Sequence, residues 1–130
     1  MKARHFVSKL DHDRILSAIA NAEKKTSGHI RVYISHREAA DAVASAQRRF
    51  DKLGMNKRPK SALIYLAPES RVFAVIGDAA VHEKCGDGFW QEVTAAMTAH
   101  LKKESFTTAI VHGVEKVGEL LAEHFPAGAK

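Results

Sequence analysis

The chain has 130 residues, the size of one ordinary domain, and 45% of them are hydrophobic, enough to bury a real core. Its formal charge of +5 raises nucleic acid as a partner, yet the lysines and arginines are scattered and no aromatic-studded basic stripe or recognition motif accompanies them, which disfavours specific nucleic-acid binding. The single cysteine, Cys85, excludes an internal disulfide framework and a Cys-rich zinc site; no apolar run approaches the roughly 18 residues of a membrane span, and MKARHFVSKLDHD has no secretory apolar region, so a soluble cytoplasmic protein is expected.

Asp11 is a candidate N-cap for a first helix in which Ile15, Leu16, Ile19 and Ala22 follow helical spacing until Lys24-Lys25 and Gly28 close it. The two lysines suit the negative end of the helix dipole. Residues 29–35 alternate, with Ile30, Val32 and Ile34 on one face and His29, Arg31, Tyr33 and Ser35 on the other, which predicts a half-buried strand. Val43, Ala46, Phe50 and Leu53 repeat at three and four, predicting a second helix over 41–53 with Gly54 as its left-handed stop. A polar loop containing Pro59 then leads to two apolar runs, 62–67 and 71–77. Pro68-Glu69-Ser70 separates them, so the pair reads as a β-hairpin. Strand, helix, strand implies a right-handed crossover, so the first two strands are expected to be parallel and the third antiparallel. Farther on, Phe89, Trp90, Val93, Met97 and Leu101 mark a helix face ending near Glu104, with Asp87 as its candidate cap. A final helix over 107–124 buries Ile110, Val114, Val117 and Leu121, while Gly113 and Gly118 allow a neighbour to approach closely. The fold class is therefore α/β, one domain over 1–130 with a mixed sheet and C-terminal helices.

Most of the chemistry-bearing residues gather after the second strand of the hairpin, where Asp78, His82, Glu83, Cys85 and Asp87 follow the predicted strand end, a common location for ligands in α/β proteins. If a short helix begins after Gly77, Asp78 and His82 stand at i and i+4 and can meet one ligand. Asp78 ranks first, with an N-cap as its competing role. Glu83 and Asp87 would complete an oxygen-rich calcium or magnesium site, although such ions want six or more oxygens and the spacing is no EF-hand loop. Glu83 is otherwise a solvated side chain. His82 and Cys85 form an H-x-x-C pair, but two ligands make no zinc site, and Cys85 reads better as a small buried hydrophobe. Arg71 and Gly77 are separated by about 20 Å along an extended strand, so Arg71 does not act with Asp78.

Several segments, in this order, resemble the TPM domain family. They are Ala22-Glu23 with Thr26-Ser27-Gly28 leading into Ile30-Arg31-Val32; Phe50 with Leu53-Gly54-Met55; Ala62-Leu63-Ile64-Tyr65-Leu66-Ala67 followed by Arg71 to Asp78; Phe106-Thr107; and Leu121 to Pro126. The resemblance implies an α/β/α sandwich with a central mixed sheet. Some members are described as acid phosphatases or divalent-cation binders, others as membrane-linked factors in repair, assembly or receptor modulation, and many carry a membrane segment. Their acidic positions lie in the loop before the second strand and the loop after the third. The first of these loops reads Lys57-Arg58-Pro59-Lys60-Ser61 in this chain, with no carboxylate where many relatives carry Asp or Asn, and His29 stands where relatives often have Glu. Glu23 recurs in relatives at the end of the first helix, where its carboxylate can pair with Arg31 or reach the site across the sheet, a surface pair being the simpler expectation.

Two classes of function follow. In one, Asp78, Glu83 and Asp87 hold calcium or magnesium, His82 supplies a general acid, and the protein is a phosphatase-like hydrolase acting on a phosphorylated substrate. In the other, the domain is a non-catalytic module that contacts a protein partner or assists assembly of a membrane complex through its basic surface.

Overall fold

The computed structural model describes residues 1–86 and 88–128, and of Phe89 and Trp90 only the backbone. In chain order the elements are α1 (Ala3–Ser8), α2 (His12–Glu23), β1 (His29–Ile34), α3 (Ala42–Lys52), a 3-10 turn (Met55–Lys57), β2 (Ser61–Ala67), β3 (Val72–Gly77), α4 (Ala79–Cys85), α5 (Gly88–Lys102) and α6 (Phe106–His124). Strand β2 is the middle of the sheet, parallel to β1 and antiparallel to β3, as the crossover argument requires. Every residue of β2 is buried. A central strand covered on both faces has no solvent side, which is why SALIYLA runs apolar rather than alternating.

The pleat sends alternate residues of β2 into two cores. Ala62, Ile64 and Leu66 join Ile30 and Val75 in the larger core, packed by Ile15 of α2, Val81 of α4, Met97 of α5 and Ile110 of α6. Leu63, Tyr65 and Ala67 join Ala74 and Ile76 in the smaller one, packed by Ala46 and Phe50 of α3. Helices on both faces of a mixed sheet make an α/β/α sandwich.

Aspartates start three of the helices. Asp11 accepts from the Arg14 N–H at 3.1 Å, Asp41 from Ala44 N–H at 3.1 Å, and Asp78 from Val81 N–H at 2.9 Å. Each satisfies a donor that the first turn leaves without a helical partner. Gly54, at φ 75°, ends α3 in the left-handed region. The close approach read from two glycines in α6 is present: a Cβ on Gly118 would stand 2.7 Å from Ala22 Cβ, and one on Gly113 would stand 2.6 Å from Met97 Sδ.

Some expectations shift. Helix α1 has no strong periodic signal and appears because Phe6 is buried with its ring 4.7 Å from that of Phe106. Leu16 and Val43 follow the helical spacing but are 63% and 62% exposed. Leu16 lies one residue off the stripe of Ile15, Ala18, Ile19 and Ala22, and the half-buried Ala42 of α3, with the buried Ala39 in the segment before it, takes the place expected of Val43. Arg71 is the last residue of the turn rather than the first of β3: its φ is 54° and its N–H donates to Pro68 O at 3.2 Å. The cap expected at Asp87 and the core positions expected of the Phe89 and Trp90 side chains lie outside the described residues.

Candidate functional site

The loops before β2 and after β3 meet at Asp78. Antiparallel pairing sets Gly77 beside Ala62, so the residue that leaves β3 faces the residue that enters β2. Asp78 uses its two carboxylate oxygens there. Oδ1 accepts from Val81 N–H at 2.9 Å and Oδ2 from Lys60 N–H at 2.6 Å, while its own N–H donates to Ser61 O at 3.0 Å. One half-buried side chain thus fixes the start of α4 and the end of the 57–60 loop together.

Lys60 carries the junction onward. Its φ of 64° is costly for a residue with a Cβ, and several contacts hold it there. His29 N–H donates to its carbonyl at 2.9 Å, its Nζ donates to Ser27 Oγ at 3.2 Å, and the ammonium lies 5.7 Å from the centre of the Phe125 ring. Thr26 and Phe125, 99 residues apart, are joined by the Thr26 hydroxyl donating to Phe125 O at 2.5 Å, and Ser27 N–H donates to the same oxygen at 3.0 Å. Gly28 is required between them, because a Cβ would come within 2.7 Å of Lys60 O.

On the outer edge of β1, Glu23 does not pair with Arg31 as the simple surface expectation had it. Its Oε2 accepts from the Ile30 N–H at 2.8 Å, satisfying an edge donor that β2 cannot reach. Beside it lies a polar hollow of about 190 Å³ in which His29, Arg31 and Arg58 outnumber the Glu23 carboxylate, with Leu53 and Met55 as its apolar wall. The sequence gives no spacing that would join Arg58 to Arg31; the parallel register of β1 and β2 does so by setting His29 beside Ser61.

The remaining candidates lie along α4. His82 and Glu83 are exposed on this helix, one turn beyond Asp78, and the i, i+4 spacing appears as His82 N–H donating to Asp78 O at 3.0 Å. Asp87 lies outside the described residues. Among the described residues no group of three or more His, Cys, Asp or Glu side chains is arranged to hold a metal ion. Calcium or magnesium wants about six oxygens, and the described part of the expected set offers Asp78 and Glu83. Cys85 is half-buried against the larger core. Burial pushes its thiol above the ordinary value and the Glu123 carboxylate adds to this, the reverse of what a nucleophilic cysteine needs. Arg71 and Asp78 stand at opposite ends of β3.

A family model described as TPM domain matches residues 1–120. The chain belongs to the TPM domain family. Among solved structures, this TPM domain is similar to the BA42 protein from the psychrophilic bacterium Bizionia argentinensis, at 32% identity and a TM-score of 0.83, over 93% of this chain and 87% of that one. It also shares its fold with the N-terminal domain of the cg2496 protein from Corynebacterium glutamicum, at 20% identity and a TM-score of 0.65, over 84% of this chain and 70% of that one. No curated protein matches it. Among the described residues of this TPM domain, no helix is long and apolar enough to cross a membrane.

Proposed function

We propose that this TPM domain is a non-catalytic protein-interaction module in which Asp78 is a structural clasp. The observation that supports it is the double use of the Asp78 carboxylate, one oxygen on Val81 N–H and the other on Lys60 N–H, in front of a loop whose charged side chains are all cationic. The basic hollow at Arg31 and Arg58 is the recognition surface of this reading, and a carboxylate-bearing segment of a partner protein is what its charge selects. Guanidinium groups grip such carboxylates through paired hydrogen bonds. The test is a titration with a fluorescein-labelled hexaglutamate peptide at low salt. Binding that weakens about tenfold in Arg58→Ala, and again at higher ionic strength, supports the reading; no saturable binding to the native protein overturns it.

A second reading keeps Asp78, Glu83 and Asp87 as ligands of calcium or magnesium, with His82 as the proton donor of a phosphatase-like hydrolase. It is supported by the lone pair left on each Asp78 oxygen after one hydrogen bond apiece. Its signature is hydrolysis of p-nitrophenyl phosphate that depends on added magnesium or calcium and vanishes in Asp78→Asn. Turnover equal in the two proteins removes it.

A further inference from the structure

The end of the sheet away from Asp78 holds a larger and chemically different hollow. A cavity of about 480 Å³ opens where β2 turns into β3 and where α5 turns into α6, with α1 along one side. Its walls include Phe6, Leu66, Phe73, Leu101 and Phe106. The volume falls within the roughly 300–1,000 Å³ of small-molecule sites. Polar side chains collect at the rim, where Arg71 and Lys102 are exposed and have no ion-pair partner among the described residues. Arg71 is held there by the hairpin turn, at φ 54°, and Glu104 by the turn that closes α5, at φ 58°.

We propose that this cavity binds a free medium-chain aliphatic monocarboxylate, with the tail against Phe6, Phe73, Leu101 and Phe106 and the carboxylate between Arg71 and Lys102. The wall is mostly aromatic and aliphatic, and the Thr98 hydroxyl already donates to Thr94 O, so a sugar or nucleotide would find few of the hydrogen bonds it needs once desolvated. A wholly apolar molecule would leave the two cations unused. Arg71 and Lys102 offer a carboxylate charge-assisted hydrogen bonds, while Glu104 at the same rim opposes a more highly charged anion. Nothing in this assignment involves Asp78 or the hollow at Arg58, so its failure leaves the reading of that end of the sheet untouched.

The experiment is isothermal titration of the full chain with octanoate, decanoate and dodecanoate, each below its micelle concentration, alongside dodecanol and phosphatidylcholine vesicles. One-to-one binding is expected, tightening by up to about fourfold per added methylene while the chain still fits. In Arg71→Glu/Lys102→Glu, two exposed substitutions, dodecanoate should bind at least tenfold more weakly and dodecanol as before. Leu101→Trp, which fills the cavity, should weaken both ligands. Three results overturn the proposal: no saturable binding of any carboxylate, affinity for dodecanoate unchanged in both variants, or binding to vesicles alone, which would mark the rim as a membrane contact.

Discussion

Asp78 joins three segments through one carboxylate, and its contribution to stability is correspondingly specific. Removing the side chain leaves Val81 N–H without its cap and Lys60 N–H without its acceptor. Lost caps cost about 1 kcal/mol and stranded donors a similar amount, so Asp78→Ala should lose about 2–3 kcal/mol, read as a fall in melting temperature on the order of 10 °C. A change within a degree would mean that water replaces the clasp. Cys85 offers a second test at this scale. Its folded-state pKa is raised, so the folded chain keeps the proton that the unfolded chain releases. The associated stability is present below the ordinary thiol value and is lost as pH rises through the folded one. Melting curves of the native protein and Cys85→Ala should therefore diverge above the ordinary thiol range, the native protein falling faster; parallel curves contradict this.

At the scale of elements, periodicity carried most of the reading. The cap at Asp11, the stop at Gly54, the continuous run of β2 and the stripe Ile110, Val114, Val117, Leu121 each depend on neighbours in sequence, and local chemistry decides them. Helix α1 was not legible, because what holds it is the contact of Phe6 with Phe106, far along the chain. The candidate site divides the same way. Asp78 as a cap follows from Gly-Asp before a short helix, whereas its hold on Lys60 and the bond from Glu23 to Ile30 N–H depend on the pairing of strands and on the course of a loop. Gly118 belongs to this scale as well, since it sets how closely α6 approaches α2. Gly118→Val must push Ala22 aside and should cost about 1–3 kcal/mol, checked by urea denaturation, with a midpoint unchanged from native as the contrary result.

For the whole molecule, the sheet separates two ends of opposite chemistry. At one, the clasp of Asp78 and Lys60 sits near the basic hollow of Arg31 and Arg58; at the other, an apolar cavity lies under Arg71 and Lys102. The α/β/α frame keeps them apart, because β3 runs its full length between Arg71 and Asp78. Arg31 and Arg58 line the hollow at one end and Arg71 and Lys102 the cavity at the other. In the proposed reading Asp78 serves as structure and not as a cation ligand. That reading is tested most directly by thermal melts of the native protein and Asp78→Asn, each with and without millimolar calcium, magnesium, manganese or zinc, since any ion that binds the folded state raises its stability by mass action. No ion-dependent shift is expected in either protein. A shift in the native protein that disappears in Asp78→Asn would contradict it and return Asp78 to a metal site.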